Sequence, residues 1–212
     1  MHDTPDQAMH KTPELEVRPR RHSFRWLFVL TFVVVGVAIL VGSFRCLCGY
    51  YFSWKYPYGW SHCCDKAMLM ALLQYAEEHG GRYPSGEATP EASLSLLYPK
   101  YIDASTLRGK TVPLDTVENI LGEGKRLGPD TCGWHYVEGL TKEDDPELAL
   151  LWDKIGLGHN GERLSGGGHN VLFVRSEIRY ISGTEWPQFL KKQEELLAKR
   201  KQRPLASSQS KQ

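Results

Sequence analysis

From Trp26 to Phe44 the chain is apolar without interruption by any charge, and only Thr31 and Ser43 are polar. At about 1.5 Å of rise per residue such a helix is roughly 28 Å long, close to the thickness of bilayer hydrocarbon. The pattern predicts a transmembrane helix over 24–45. The next stretch, 46–60, is aromatic and broken by Pro57 and Gly59, which suits rings lying at the headgroup level. From Ser61 onward the period changes. Cys64, Ala67, Met68, Ala71, Leu72 and Tyr75 recur at steps of three and four, predicting a helix capped by Ser61 and stopped at Gly80-Gly81. A short helix over Ala92–Leu97 ends before Pro99, and Asp103 to Pro129 has no firm period and reads as irregular. Strand signals follow at Trp134–Val137, Leu148–Trp152, Asn170–Val174 and Glu177–Ile181, the last two as a hairpin across Arg175-Ser176. A closing helix starts at Trp186, with Thr184 as its cap, Pro187 in its first turn and Phe189, Leu190, Leu196 and Leu197 on one face.

The fold class read from this order is α+β: an N-terminal membrane helix, then a domain over 61–200 in which a helix packs on a small antiparallel sheet. The tails 1–22 and 201–212 are polar and read as loose ends. Arg18, Arg20, Arg21 and Arg25 precede the apolar run with no acid among them, so the tail is expected in the cytoplasm and the domain across a bacterial inner membrane, in the periplasm. A cleaved signal peptide fits less well, because its apolar region would be about 7–15 residues and Val41–Arg45 is a poor small-residue cleavage site. The 26 basic and 25 acidic residues leave a net charge of +1, and no basic footprint for nucleic acid stands out between the ends. All five cysteines (Cys46, Cys48, Cys63, Cys64 and Cys132) fall on the outer side, where a disulfide is permitted. Cys132 with Cys63 or Cys64 is the first pairing to test, against five reduced thiols.

Three constellations carry candidate chemistry. Cys132 and His135 form a Cys-x2-His pair, and His159 and His169 bracket a Gly-rich loop, so four zinc-type ligands are available. Ser165, His169 and Asp153 supply the residue types of a hydrolytic triad, but no nucleophile-elbow pattern surrounds Ser165. Glu143-Asp144-Asp145 offers hard oxygen ligands for calcium at a turn before Pro146. The loop spacing of the histidines and the solvated character of an acidic turn argue against each ion, and the expectation is no cofactor and no catalytic residue.

Several segments together resemble a known family. Ala67–Pro84, a helix ending in Tyr75-Ala76-Glu77 and followed by Gly81-Arg82-Tyr83-Pro84, is similar to the first globular segment of the pseudopilin-like proteins of Planctomycetes and related bacteria. Leu96–Ile102 resembles their Pro-Lys-Tyr-Ile turn. Leu151–Lys154, the Gly/His-rich loop and Asn170–Val174 resemble the closing part that carries the His-X9-Asp-Gly motif of this prepilin-type family. The resemblance implies a pilin-like domain and a structural or interaction protein, not an enzyme, associated with the bilayer and with protein partners of type II secretion or pilus-like machinery. The chain departs from the family in three places. Arg175-Ser176 stands where Asp-Gly is usual, Ser165 stands at the motif histidine, and the cleavage signature is missing: Ser23 precedes Phe24, and Phe28 occupies the fifth position where Glu is usual. A membrane-tethered metal-binding or enzymatic domain using Cys132, His135, His159 and His169 is the alternative.

Overall fold

In the computed structural model the described residues are 22–60 and 64–209, with side chains over 25–60 and 64–202. The tail 1–21, the Ser61 cap, Cys63 and the last three residues lie outside them. The chain divides into two units, Met1–Gly49 and Tyr50–Gln212. The first helix, α1 (His22–Lys55), does not stop near residue 45 but runs on through Tyr50–Trp54. Nothing in 46–55 breaks a helix; the stop comes where Pro57 restricts its predecessor and Gly59 turns at φ +78°. Arg25–Lys55 is long and apolar enough to cross a membrane, and its apolar side chains are exposed all round, as a lipid-facing helix requires.

The second unit is α+β. Helix α2 (Asp65–Glu78) is followed by α3 (Pro90–Leu94), α4 (Ala104–Leu107) and α5 (Leu114–Gly122). Strands β1 (Trp134–Tyr136), β2 (Ala149–Asp153), β3 (Gly168–Phe173) and β4 (Ile178–Ser182) come next, then α6 (Trp186–Gln209). The strands form one antiparallel meander in the order β1-β2-β3-β4. Alternation along β3 sends Asn170 and Leu172 to one face and His169, Val171 and Phe173 to the other. On the first face Met68, Leu69 and Leu72 of α2 join Leu94, Leu107, Trp134, Tyr136 and Leu172 in the main core. On the second, Ala149, Trp152, Val171 and Phe173 meet Trp186, Phe189 and Leu190 of α6. A register shift in β2 between Ala149 and Leu151 puts Leu150 and Leu151 into the same core, which strict alternation would forbid.

Three local features differ from the sequence expectation. The stretch 103–129 holds two helices: Asp103 caps α4 by accepting from the Thr106 N–H at 2.9 Å, and α5 buries Val117 and Leu121 one turn apart. The β3–β4 connection is not a two-residue primed turn. The Ser176 N–H donates to the Phe173 carbonyl at 3.0 Å and the Phe173 N–H to the Glu177 carbonyl at 2.9 Å, which leaves Val174, Arg175 and Ser176 as a bulged loop. Of these only Ser176 has positive φ, at 66°. Helix α6 starts at Trp186 as expected, but the residue before it is Glu185 and not Thr184: the Glu185 carbonyl accepts from the Phe189 N–H, and the helix continues to Gln209.

Leu72 is fully buried, so Leu72→Ala should lower stability in chemical denaturation by about 2–5 kcal/mol. A left-handed conformation disfavours a non-glycine residue, so Ser176→Gly should raise stability by about 1 kcal/mol. Arg175→Asp should give no such gain, because Arg175 pairs with Glu147 at 2.7 Å and with Glu177.

Candidate functional site

The four candidate zinc ligands are not brought together. Cys132 precedes β1 in the main core, its thiol donating to the Leu107 carbonyl at 3.8 Å, and burial pushes that thiol up to about 12. His135 projects from the opposite face of β1 and stacks on Trp152 with ring centres 4.2 Å apart. His169 stacks on Trp186 at 3.9 Å, and its Nδ1–H donates to the Asp153 carbonyl at 2.8 Å. Crowding by protein holds both imidazoles below the usual range, so they stay neutral at pH 7. His159 lies in the 154–167 loop, exposed. Among the described residues no three His, Cys, Asp or Glu side chains are placed to share a metal ion. Cys46, Cys48, Cys64 and Cys132 are free thiols, so a Cys64–Cys132 bridge is not formed; the Cys63 alternative falls outside the described residues.

The other two constellations also serve local structure. Ser165 is exposed in its loop, while the Asp153 carboxylate points to the opposite side of the sheet from His169. In the acidic turn, Asp144 Oδ2 accepts from the Thr141 N–H at 2.8 Å and its Oδ1 pairs with Arg200, and Asp145 accepts from the Glu147 N–H at 2.9 Å. Those carboxylates are occupied in closing a turn and tying down α6.

Two features remain, back to back across the sheet. On the α6 side, Trp152, Trp186, His135, His169 and Leu190 line an open aromatic cleft of about 400 Å³. On the α2 side, Trp152's neighbour Asp153 enters a buried charge cluster that no sequence motif announced. Lys110 Nζ contacts Asp153 Oδ2 and lies 2.9 Å from Asp65 Oδ1. The Asn170 side-chain amide donates to Asp65 Oδ2 at 3.0 Å, and the Lys110 ammonium lies 5.5 Å from the centre of the Trp134 ring. The Lys110 side chain is 0% exposed, Asp153 1% and Asp65 8%.

Glycines bring the lysine there. A Cβ on Gly109, which has φ +72°, would lie 2.8 Å from the Gly133 Cα, and one on Gly133 would lie 2.9 Å from the Arg108 carbonyl oxygen. The two backbones therefore touch, joined by the Gly133 N–H to Arg108 carbonyl bond at 2.9 Å. That contact delivers Lys110 beside the end of β2.

Electrically the cluster holds two carboxylates for one ammonium. Burial pushes the Asp153 carboxyl up to about 7, whereas the two carboxylates hold the Lys110 ammonium above its usual range. Lys110 and Asp153 share a proton as a pair, and burial favours the state in which an extra proton on Asp153 cancels the excess negative charge. Chemically the arrangement is an amine, a carboxyl that tolerates being neutral, and a second acid within reach of the same nitrogen. No family model, no curated protein and no solved structure matches the chain.

Replacing Lys110 strands two acids in the interior. Lys110→Met should destabilise the domain by about 3–5 kcal/mol in urea unfolding, the usual loss when one partner of a buried pair is removed. Gly133→Ala should also destabilise it, since its Cβ meets backbone that cannot yield.

Proposed function

We propose that this chain is a membrane-anchored structural and interaction protein of pseudopilin-like type, working in a type II secretion or pilus-like assembly. Its apolar helix would hold the α+β unit on the periplasmic side of a bacterial inner membrane, N-terminus in the cytoplasm. The observation that carries the reading is the order of elements: a helix long and apolar enough to span a bilayer, then α2 packed on a small antiparallel sheet. Two of the segments that resemble pseudopilins fall on these elements, Ala67–Pro84 on α2 and its turn, and Asn170–Val174 on β3 and the first residue after it. The dispersal of Cys132, His135, His159 and His169 supports this reading over a metal-dependent one. Ser23 before Phe24, and no Glu at Phe28, argue for a retained, unprocessed anchor outside the usual filament pairing.

A reporter fused after Gln212 should be active only in the periplasm, and the residues ahead of Phe24 should remain on the mature chain; a product starting near Phe24 contradicts retention. Photo-crosslinkers placed at Met70 and Tyr180, both exposed, should form adducts with inner-membrane components of a secretion or pilus-like assembly. Adducts that never include such a component contradict the proposed role.

A further inference from the structure

We propose that Lys110 and Asp153 become joined by an intramolecular amide bond, formed in the interior of the domain with Asp65 as the group that moves the protons. The proposal stands on geometry independent of the pseudopilin reading. Lys110 Nζ already contacts the Asp153 carboxyl, and Asp65 reaches the same nitrogen at 2.9 Å. Asn170 fixes the other oxygen of Asp65 at 3.0 Å, so that acid is aimed and not free to swing. Asp153 Oδ1 is buried without a hydrogen-bond partner, so no donor there holds this carboxyl in its ionised form. Among the described residues Lys110 is the one buried lysine; the other lysine pairs, such as Lys100 with Glu78 and Lys125 with Glu123, lie at the surface in water.

Water normally prevents this reaction, because a hydrated ammonium is not a nucleophile and a hydrated carboxylate is not an electrophile. The reaction passes through the neutral amine and neutral acid, reached when Nζ gives a proton to Asp153 against the hold of the two carboxylates on the ammonium. Removal from water lowers the cost of that transfer because it erases two buried charges, and Asp65 stays ionised. The raised Asp153 carboxyl is consistent with that state. The amine lone pair then attacks Asp153 Cγ, and Asp65 takes the proton released by the nitrogen. Asp65 returns it to the departing carboxyl oxygen, which leaves as water. One N–C bond forms, one C–O bond breaks, one water is released, and nothing is oxidised or reduced. The new amide N–H remains in place to donate to Asp65, so the second acid is not left stranded. The link would tie the segment after α4 to the end of β2.

The test is proteolysis of the full-length chain purified in detergent, followed by tandem mass spectrometry of the peptides. The expected product is a branched peptide joining the segments that contain Lys110 and Asp153, lighter than their sum by one water. Lys110→Arg and Asp65→Asn chains should yield the two segments separately, and on denaturing gels the linked wild-type chain should migrate faster than either. The wild-type digest decides by itself if a variant fails to fold: separate Lys110 and Asp153 peptides at full mass overturn the proposal. In that case the cluster is an ion triad, and stability falls as pH rises from about 4 to 7, because the folded state then binds the extra proton that the unfolded one has lost. A branched peptide that forms equally in Asp65→Asn overturns the role given to Asp65.

Discussion

The contact of Lys110 with Asp65 and Asp153 sits where four separate parts of the second unit meet. Asp65 is the first residue of α2, Lys110 follows α4, Asp153 ends β2, and Asn170 on β3 secures Asp65 from the sheet. Apolar packing between these parts is non-directional and tolerates sliding; a buried charge does not, because moving any partner away leaves the others unpaired in a low dielectric. The cluster therefore sets where the start of α2 lies against the sheet, and the Gly109–Gly133 contact sets where the lysine enters.

The sheet also separates two kinds of surface. At the C-terminal end of β2, Trp152 faces α6 and Asp153 faces α2, and near the N-terminal end of β3 His169 and Asn170 divide in the same way. The His169 Nδ1–H bond to the Asp153 carbonyl spans the two sides, joining the aromatic cleft to the backbone of the residue that carries the buried acid. A ring stack and a charge cluster thus share a few residues of strand, and substitutions at the end of β2 are expected to disturb both together.

Much of the fold was legible in the chain. The three- and four-residue spacing of Met68, Ala71 and Leu72 and all four strand signals appear where the pattern put them, within a residue or two, and the apolar run is helical but extends ten residues past its expected end. What escaped had physical reasons. Helices α4 and α5 are short, and their stripes of three and two buried residues are too brief to show a period. The Arg175-Ser176 turn hid its bulge because one left-handed residue, Ser176, carries the whole reversal. The candidate ligands misled because a histidine on a strand looks the same whether it binds metal or, like His135 and His169, stacks on tryptophan. The charge cluster was invisible for a different reason: Asp65, Lys110, Asp153 and Asn170 are far apart in sequence, and only the antiparallel sheet with α2 across it makes them neighbours.

The central claim is that this cluster holds α2, the Lys110 segment and β2 as one cooperative unit. Hydrogen exchange on the full chain, wild type against Asp65→Asn, tests it most directly. Protection should fall together in the first turn of α2, residues 108–112 and the end of β2, while the part of α6 packed on the other face keeps its protection. Loss confined to the residues beside position 65, with β2 and the Lys110 segment as protected as before, would contradict the account.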